Sequence, residues 1–122
     1  MFFNNPLLDK SFIFAVRIVN LYKWLTEEKH EYVLSKQVLR SGTSIGANSR
    51  EGRSAQSKLD YINKLSIALK EADETLYWLE LLKETNFLKE EEFQSIHTDC
   101  EELVKILIAS IKTSKNNLNR EK

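Results

Sequence analysis

Arg40, Ser44, Asn48 and Glu51 follow one another at spacings of four, four and three, which sets four polar side chains on one face of a helix. Glu71, Glu74 and Trp78 form a second row of the same kind further along. Between them the rows supply a guanidinium, carboxylates, a carboxamide and an indole N–H. Such groups can satisfy one another as a hydrogen-bonded network between helices or subunits. That network is the favoured reading; the alternative is a polar-ligand site, with Asn48, Glu51, Glu71 and Glu74 as the candidate small-ligand or metal residues. Arg40, Arg50, Arg53, Lys58 and Lys64 are candidate nucleic-acid contacts, because affinity for a phosphate backbone rests on cations that face it.

Other chemistry is thin. A di-iron bundle needs Glu-x-x-His on two helices and a Glu on each of the others. Gln94 stands three residues before His97, and Glu27 three before His30 at a helix end, so only one partial match exists. No serine lies in a nucleophile motif, and no strand feeds a glycine-rich phosphate loop. Cys100 is the only cysteine. It can form no internal disulfide, and its spacing makes it a small buried apolar residue. No catalytic residue, cofactor or metal is therefore expected.

The elements that must position these residues are helices. The chain has 122 residues with three Gly and one Pro, and Lys, Glu, Leu, Ala, Ser and Ile dominate it, a composition suited to helix rather than sheet. The length suits a single domain over 1–122. Its ordered core is expected from about residue 7 to 113, with a polar, frayed tail over 114–122. Asn5 and Pro6 are a cap and first-turn pair for a first helix reaching about Glu28. That helix carries two apolar stripes. One is Phe12, Ala15, Val16, Val19 and Tyr22; the other is Phe14, Ile18, Leu21 and Leu25. One bundle core needs only one of them, so the spare stripe is expected to face another subunit.

A second helix is expected over about Tyr32–Gly52, with Leu34, Val38 and Ile45 inward. Its centre holds Gly42, Thr43, Ser44 and Gly46, which are poor helix formers; each Gly costs up to about 1 kcal/mol relative to Ala. Gly42 and Gly46 lie one turn apart, however, and small residues there let another helix approach closely. A bulky residue at Gly46 should therefore overpack. The third helix, about Ser57–Thr85, reads as a near-heptad of Leu59, Ile62, Leu65, Leu69, Ala72, Leu76 and Leu79. Ile67, Glu74, Trp78 and Leu81 run beside it. The fourth begins near Lys89, where Glu90, Glu91 and Glu92 suit the positive end of the helix dipole. It continues through Phe93, Ile96, Cys100, Leu103, Leu107 and Ile111 to about Thr113. Short connections make the fold an all-α, antiparallel up-down-up-down four-helix bundle. Trp24, Trp78, Tyr22 and Tyr77 are expected as core or interface anchors.

Net charge is zero, yet the charges segregate. Lys36 to Lys70 holds seven basic residues against two acids, and Glu71 to Glu102 holds eleven acids against Lys83 and Lys89. An acidic surface of this kind can meet a basic one on a neighbouring subunit. There is no apolar run long enough to span a membrane and no leader-like pattern in Met1 to Pro6, so the expected setting is cytoplasmic.

The run Leu39-Arg40-Ser41-Gly42-Thr43-Ser44-Ile45-Gly46-Ala47-Asn48 with Glu51 resembles the signature of a known family. Its members are four-helix-bundle proteins encoded within intervening sequences of bacterial 23S ribosomal RNA genes, also labelled S23-type. Lys10-Ser11-Phe12, Phe14-Ala15, Ala55 to Tyr61, Lys64, Ile67 to Ala72, Glu74-Thr75 and Tyr77 to Leu79 fit the same pattern. Leu59, Tyr61 and Gly52 depart from it mildly. The resemblance implies a homopentamer, often with a central channel. It also implies kinship with the basic pentameric accessory proteins of diversity-generating retroelements, which bind nucleic acid and a reverse transcriptase. The zero net charge of this chain departs from those basic relatives. The partners expected are thus further copies of the chain, then nucleic acid or another protein, with no membrane.

Overall fold

A computed structural model describes residues 5–121, and Met1–Asn4, with the leader reading that rests on them, lie outside it. Among the described residues the elements are α1 (Pro6–Glu27), α2 (Leu34–Arg53), α3 (Lys58–Glu84) and α4 (Glu90–Arg120). Asn5 caps α1 as its sequence suggests: its side-chain oxygen accepts from the N–H groups of Leu7 and Leu8 at 3.0 and 3.2 Å, and Pro6 opens the first turn. Ser57 caps α3 by accepting from Asp60 N–H at 3.0 Å.

Helices adjacent in sequence are adjacent in space, and α1 closes the square against α4. All four neighbouring pairs run antiparallel. Ile18 packs at Gly42 while Ser11 packs at Gly46. Arg40 reaches Glu71 and Glu51 reaches Lys64; Lys83 meets Glu90 and Cys100 meets Ala72; Arg17 meets Asp99 and Lys10 meets Glu102. This is the up-down-up-down bundle expected from the short connections.

The glycine- and serine-rich stretch of α2 is helical throughout. A Cβ on Gly42 would stand 2.7 Å from Ile18 Cγ1, and one on Gly46 would stand 3.3 Å from the Ser11 carbonyl oxygen. The helix therefore accepts residues of low propensity because they let α1 come close. Its buried serines find partners locally: Ser49 donates to the Ile45 carbonyl at 2.7 Å and Ser35 to that of Glu31 at 2.8 Å. Ser41 instead accepts from the Thr75 hydroxyl of α3 at 2.9 Å. Among the described residues no buried side-chain nitrogen or oxygen lacks a partner.

The core runs the length of the bundle. From α1 it takes Phe14, Ile18 and Leu25, from α2 Val38 and Ile45, and from α4 every apolar position expected, Phe93 through Ile111. In α3 the seam differs from the one the leucines suggest. Ile62, Leu65, Ala68, Ala72, Thr75, Leu79 and Leu82 are buried, whereas Leu69 and Leu76 only flank the core. Leu59 is 57% exposed, because six residues before Leu65 lies about a third of a turn away from it at 3.6 residues per turn. A threonine takes a core position in α3 because a small polar residue fits against Ser41 on a closely packed α2.

The tail is a second correction. Helix α4 continues well past Thr113 to Arg120, with Leu118 packed against the core and Glu121 paired with Lys58. No described helix is long and apolar enough to cross a membrane.

Candidate interaction surface

The core uses only one of the two apolar stripes of α1. Phe14, Ile18 and Leu25 are buried, while Phe12 (44%), Val16 (47%) and Val19 (36%) stand out in solvent, joined by Ile13 (40%). Ala15 and Tyr22 are half-buried along the inner edge of that stripe. Where it borders α2, Leu8, Ser11, Phe12 and Ala15 face Thr43, Gly46, Ala47 and Arg50 across a shallow cavity of about 130 Å³. The small residues of α2 make this dent, since no side chain there is large enough to fill it. The result is an apolar ridge beside an apolar-floored groove on one surface. Contiguous exposed apolar patches of this kind mark association sites. Ile13 belonged to neither stripe in the sequence, because it falls between them on the wheel and turns toward the α4 side, near Lys10, Asp99 and Glu102.

The two polar rows do not form one site. Arg40 of α2 bridges to α3, with Nη1 donating to Glu71 at 3.1 Å and Nη2 donating to Glu74. Trp78 Nε1 donates to the same Glu74 oxygen at 3.1 Å. The Arg40 hydrogen bond, then that of Trp78, holds the Glu74 carboxyl below its usual range, and Glu74 in turn raises the guanidinium. Every strong group in this cluster is thus already engaged within the chain. Ser44 and Asn48 turn back on their own helix instead, donating to the carbonyls of Arg40 at 2.6 Å and Ser44 at 2.8 Å. Glu51 leaves the row altogether and accepts from Lys64 at 3.1 Å. Asn48, Glu51, Glu71 and Glu74 are therefore not gathered around one point.

The basic segment is likewise engaged. Arg40 is tied to Glu71 and Glu74, Lys64 to Glu51 and Lys58 to Glu121. Arg50 and Arg53 near the end of α2 are exposed, and both also have interactions within the chain. Cations committed to carboxylates contribute less field toward a phosphate backbone than free ones. His97 lies between two carboxylates, with Nε2 2.9 Å from Glu80 and Nδ1 3.2 Å from Glu101. They sit on opposite ring nitrogens, so the three groups do not converge on a metal position. Cys100 is fully buried with its thiol toward the Ala72 carbonyl, and burial, then the nearby Asp73, Glu101 and Asp99, pushes its pKa up to about 12. At that value it is no nucleophile.

The aromatic anchors divide. Trp24 and Trp78 pack partly on the core, with Lys29 Nζ 5.1 Å from the Trp24 ring, while Tyr77 is 58% exposed and sits edge-on to Trp78.

Comparison with known proteins agrees with this architecture. The family model described as 23S rRNA-intervening sequence protein matches residues 4–109. A crystal structure of a protein of unknown function from the S23 ribosomal protein family of Bacteroides thetaiotaomicron superposes with a TM-score of 0.86 at 61% identity, covering 87% of this chain and 98% of that one. No functionally curated protein matches.

Proposed function

Because this chain belongs to the 23S rRNA-intervening sequence protein family, we propose that it works without catalysis, as a self-assembling four-helix-bundle interaction protein, in keeping with the homopentamer that its family signature implies. The exposed stripe Phe12, Val16 and Val19 on α1, with exposed Ile13 beside it, is the observation that carries this reading. A helix in a monomeric bundle has no use for a second apolar face, and leaving one in water forgoes about 25 cal/mol for each Å² that association would bury. The engaged state of the polar groups supports the non-enzymatic part: Arg40, Glu71, Glu74 and Trp78 complete one another, and the one thiol is buried.

The second reading, a nucleic-acid module using Arg40, Arg50, Arg53, Lys58 and Lys64, rests on the basic segment between Lys36 and Lys70. Its cations have partners inside the chain, which makes it the weaker of the two. Light scattering on nuclease-treated protein, read with the ratio of absorbance at 260 and 280 nm, tests both. A mass of several chains, near five, without nucleic-acid absorbance is expected. A single-chain mass at micromolar concentration would sink the self-assembly reading, and an assembly that still carries nucleic acid would promote the second.

A further inference from the structure

We infer that the open half of the seam between α1 and α4 is a binding site for a small organic monoamine, an ammonium group joined to an apolar body. This surface lies about a third of a turn around α1 from the stripe Phe12, Val16 and Val19, so the inference stands apart from the self-assembly reading.

Two bridges close the other half of the seam. Lys10 meets Glu102, and Arg17 donates to Asp99 at 2.6 Å and to Ser95 at 3.2 Å. From Arg17 to the end of α1, no further hydrogen bond or ion pair crosses to α4 among the described residues. There the helices part into a groove of about 530 Å³. Grooves of about 300–1,000 Å³ suit small ligands. Leu21, Trp24, Leu88 and Ile96 form its floor, and all four belong to the core or pack against it, so the floor is held in place. A molecule charged along its whole length would lose water over such a floor without compensation.

The rim sets the sign of the charge. Glu91 and Glu92 line the groove and have no hydrogen bond or ion pair among the described residues, whereas Glu90 beside them is taken by Lys83. Arg17, the cation in the lining, is tied to Asp99. Lys23, Lys29 and Lys89 lie near in sequence but not in the lining, and Lys29 places its Nζ 5.1 Å from the centre of the Trp24 ring. The helix dipole accounts for acids in the first turn of α4, but it asks for no apolar floor beside them. Carboxylates and an indole together recognise an ammonium by charge-assisted hydrogen bonds and by attraction to the ring face. The floor then takes the hydrocarbon. From Arg17 to Trp24 the helix rises about 10 Å, which matches a one-ring amine rather than a long chain.

Nuclear magnetic resonance on the whole chain tests the site, with 2-phenylethylamine as the probe. The protein has two tryptophans and hence two indole N–H signals, which Trp24→Phe assigns. The expected result is a saturable shift of the Trp24 signal at millimolar amine or below, with the Trp78 signal unmoved. 2-Phenylethanol keeps the ring without the charge, and ethylamine keeps the charge without the ring. Each should bind about tenfold more weakly or worse, the loss expected when a charged hydrogen bond or an apolar body is removed. The double variant Glu91→Gln, Glu92→Gln should lose amine affinity by a similar factor and keep its helical circular dichroism. If that variant does not fold, the two control compounds still decide the question on the unmodified chain. Equal binding of the alcohol would mean an apolar crevice without charge recognition, and tighter binding of spermidine would mean charge without the floor. Either would overturn the inference. So would the absence of a saturable shift, equal shifts of both indoles, or unchanged affinity in the folded double variant.

Discussion

At the scale of single residues, Gly42 sets how near α1 and α2 can come. A methyl added there meets Ile18 at 2.7 Å on Cγ1 and 2.9 Å on Cγ2, and Ile18 is itself fully buried with nowhere to go. Gly42→Ala gains about 1 kcal/mol in helix propensity, but overpacking of this kind costs about 1–3 kcal/mol. Packing should therefore win, and the urea midpoint of the variant should fall. Adding Ile18→Ala makes the cause visible. The double variant should be more stable than the sum of the two single changes predicts, by about 0.5–3 kcal/mol of coupling, because each change makes room for the other. Additive effects would show that the two residues do not meet. The same residue pair shows how far sequence reasoning reached. The one-turn spacing of Gly42 and Gly46 was legible as a close helix contact. Which helix comes close was not, because spacing within one helix carries no information about its neighbour. The polar row failed for a related reason. Helical spacing put Arg40, Ser44, Asn48 and Glu51 on one face, but short side chains such as Ser44 and Asn48 reach their own carbonyls before they reach another helix.

At the scale of elements, boundaries and stripes came out of the sequence wherever one physical signal acted alone. The apolar repeat of α4 is entirely buried as expected, and Asn5 with Pro6 starts α1. The seam of α3 shifted to Thr75 and Ala68 because the tight approach of α2 favours small residues there over the leucines that pattern alone selects. The start of α2 hid a different device. Its N-cap position, Val33, offers no side-chain acceptor. Glu31 supplies one from outside the helix, accepting from the N–H groups of Leu34 at 3.0 Å, Ser35 at 2.7 Å and Val33 at 3.3 Å. Burial pushes the Glu31 carboxyl upward, but these backbone donors outweigh it and hold the group below its ordinary value of 4.5. A depressed carboxyl stabilises the fold above its unfolded value and loses that contribution as pH falls through the lower folded one. Glu31→Ala should thus cost about 1 kcal/mol at neutral pH, as lost helix caps do. The gap between variant and parent in thermal melts should close as the solution is acidified below 4.5. A gap that stays constant down to pH 2 would mean that Glu31 acts through packing rather than as a charged cap.

At the scale of the whole molecule, the bundle is self-sufficient inside and keeps an apolar stripe of α1 outside. Its core takes one face from each helix and leaves no buried side-chain polar atom unpartnered among the described residues. Folding of one chain therefore asks nothing of a neighbour, and the assembly proposed above would use only the second face of α1. That separation makes assembly removable without unfolding. Val16 is nearly half exposed and lies outside the buried cluster, so Val16→Asp inserts a charge where a copy would dock but not where the bundle packs. Surface substitutions away from core, caps and buried networks change stability by about 0.5 kcal/mol or less. Burying an unpaired carboxylate at a contact, with the valine's contribution also lost, costs several kcal/mol, and each 1.4 kcal/mol is about a tenfold loss of affinity. The variant should keep the helical signal and nearly the melting temperature of an isolated chain, while its mass by light scattering falls to that of one chain at micromolar concentration. Loss of helicity along with mass would mean instead that α1 cannot hold its place without a neighbour. The bundle would then be an obligate part of its assembly, and the exposed stripe would be a missing piece of the core rather than a separate surface.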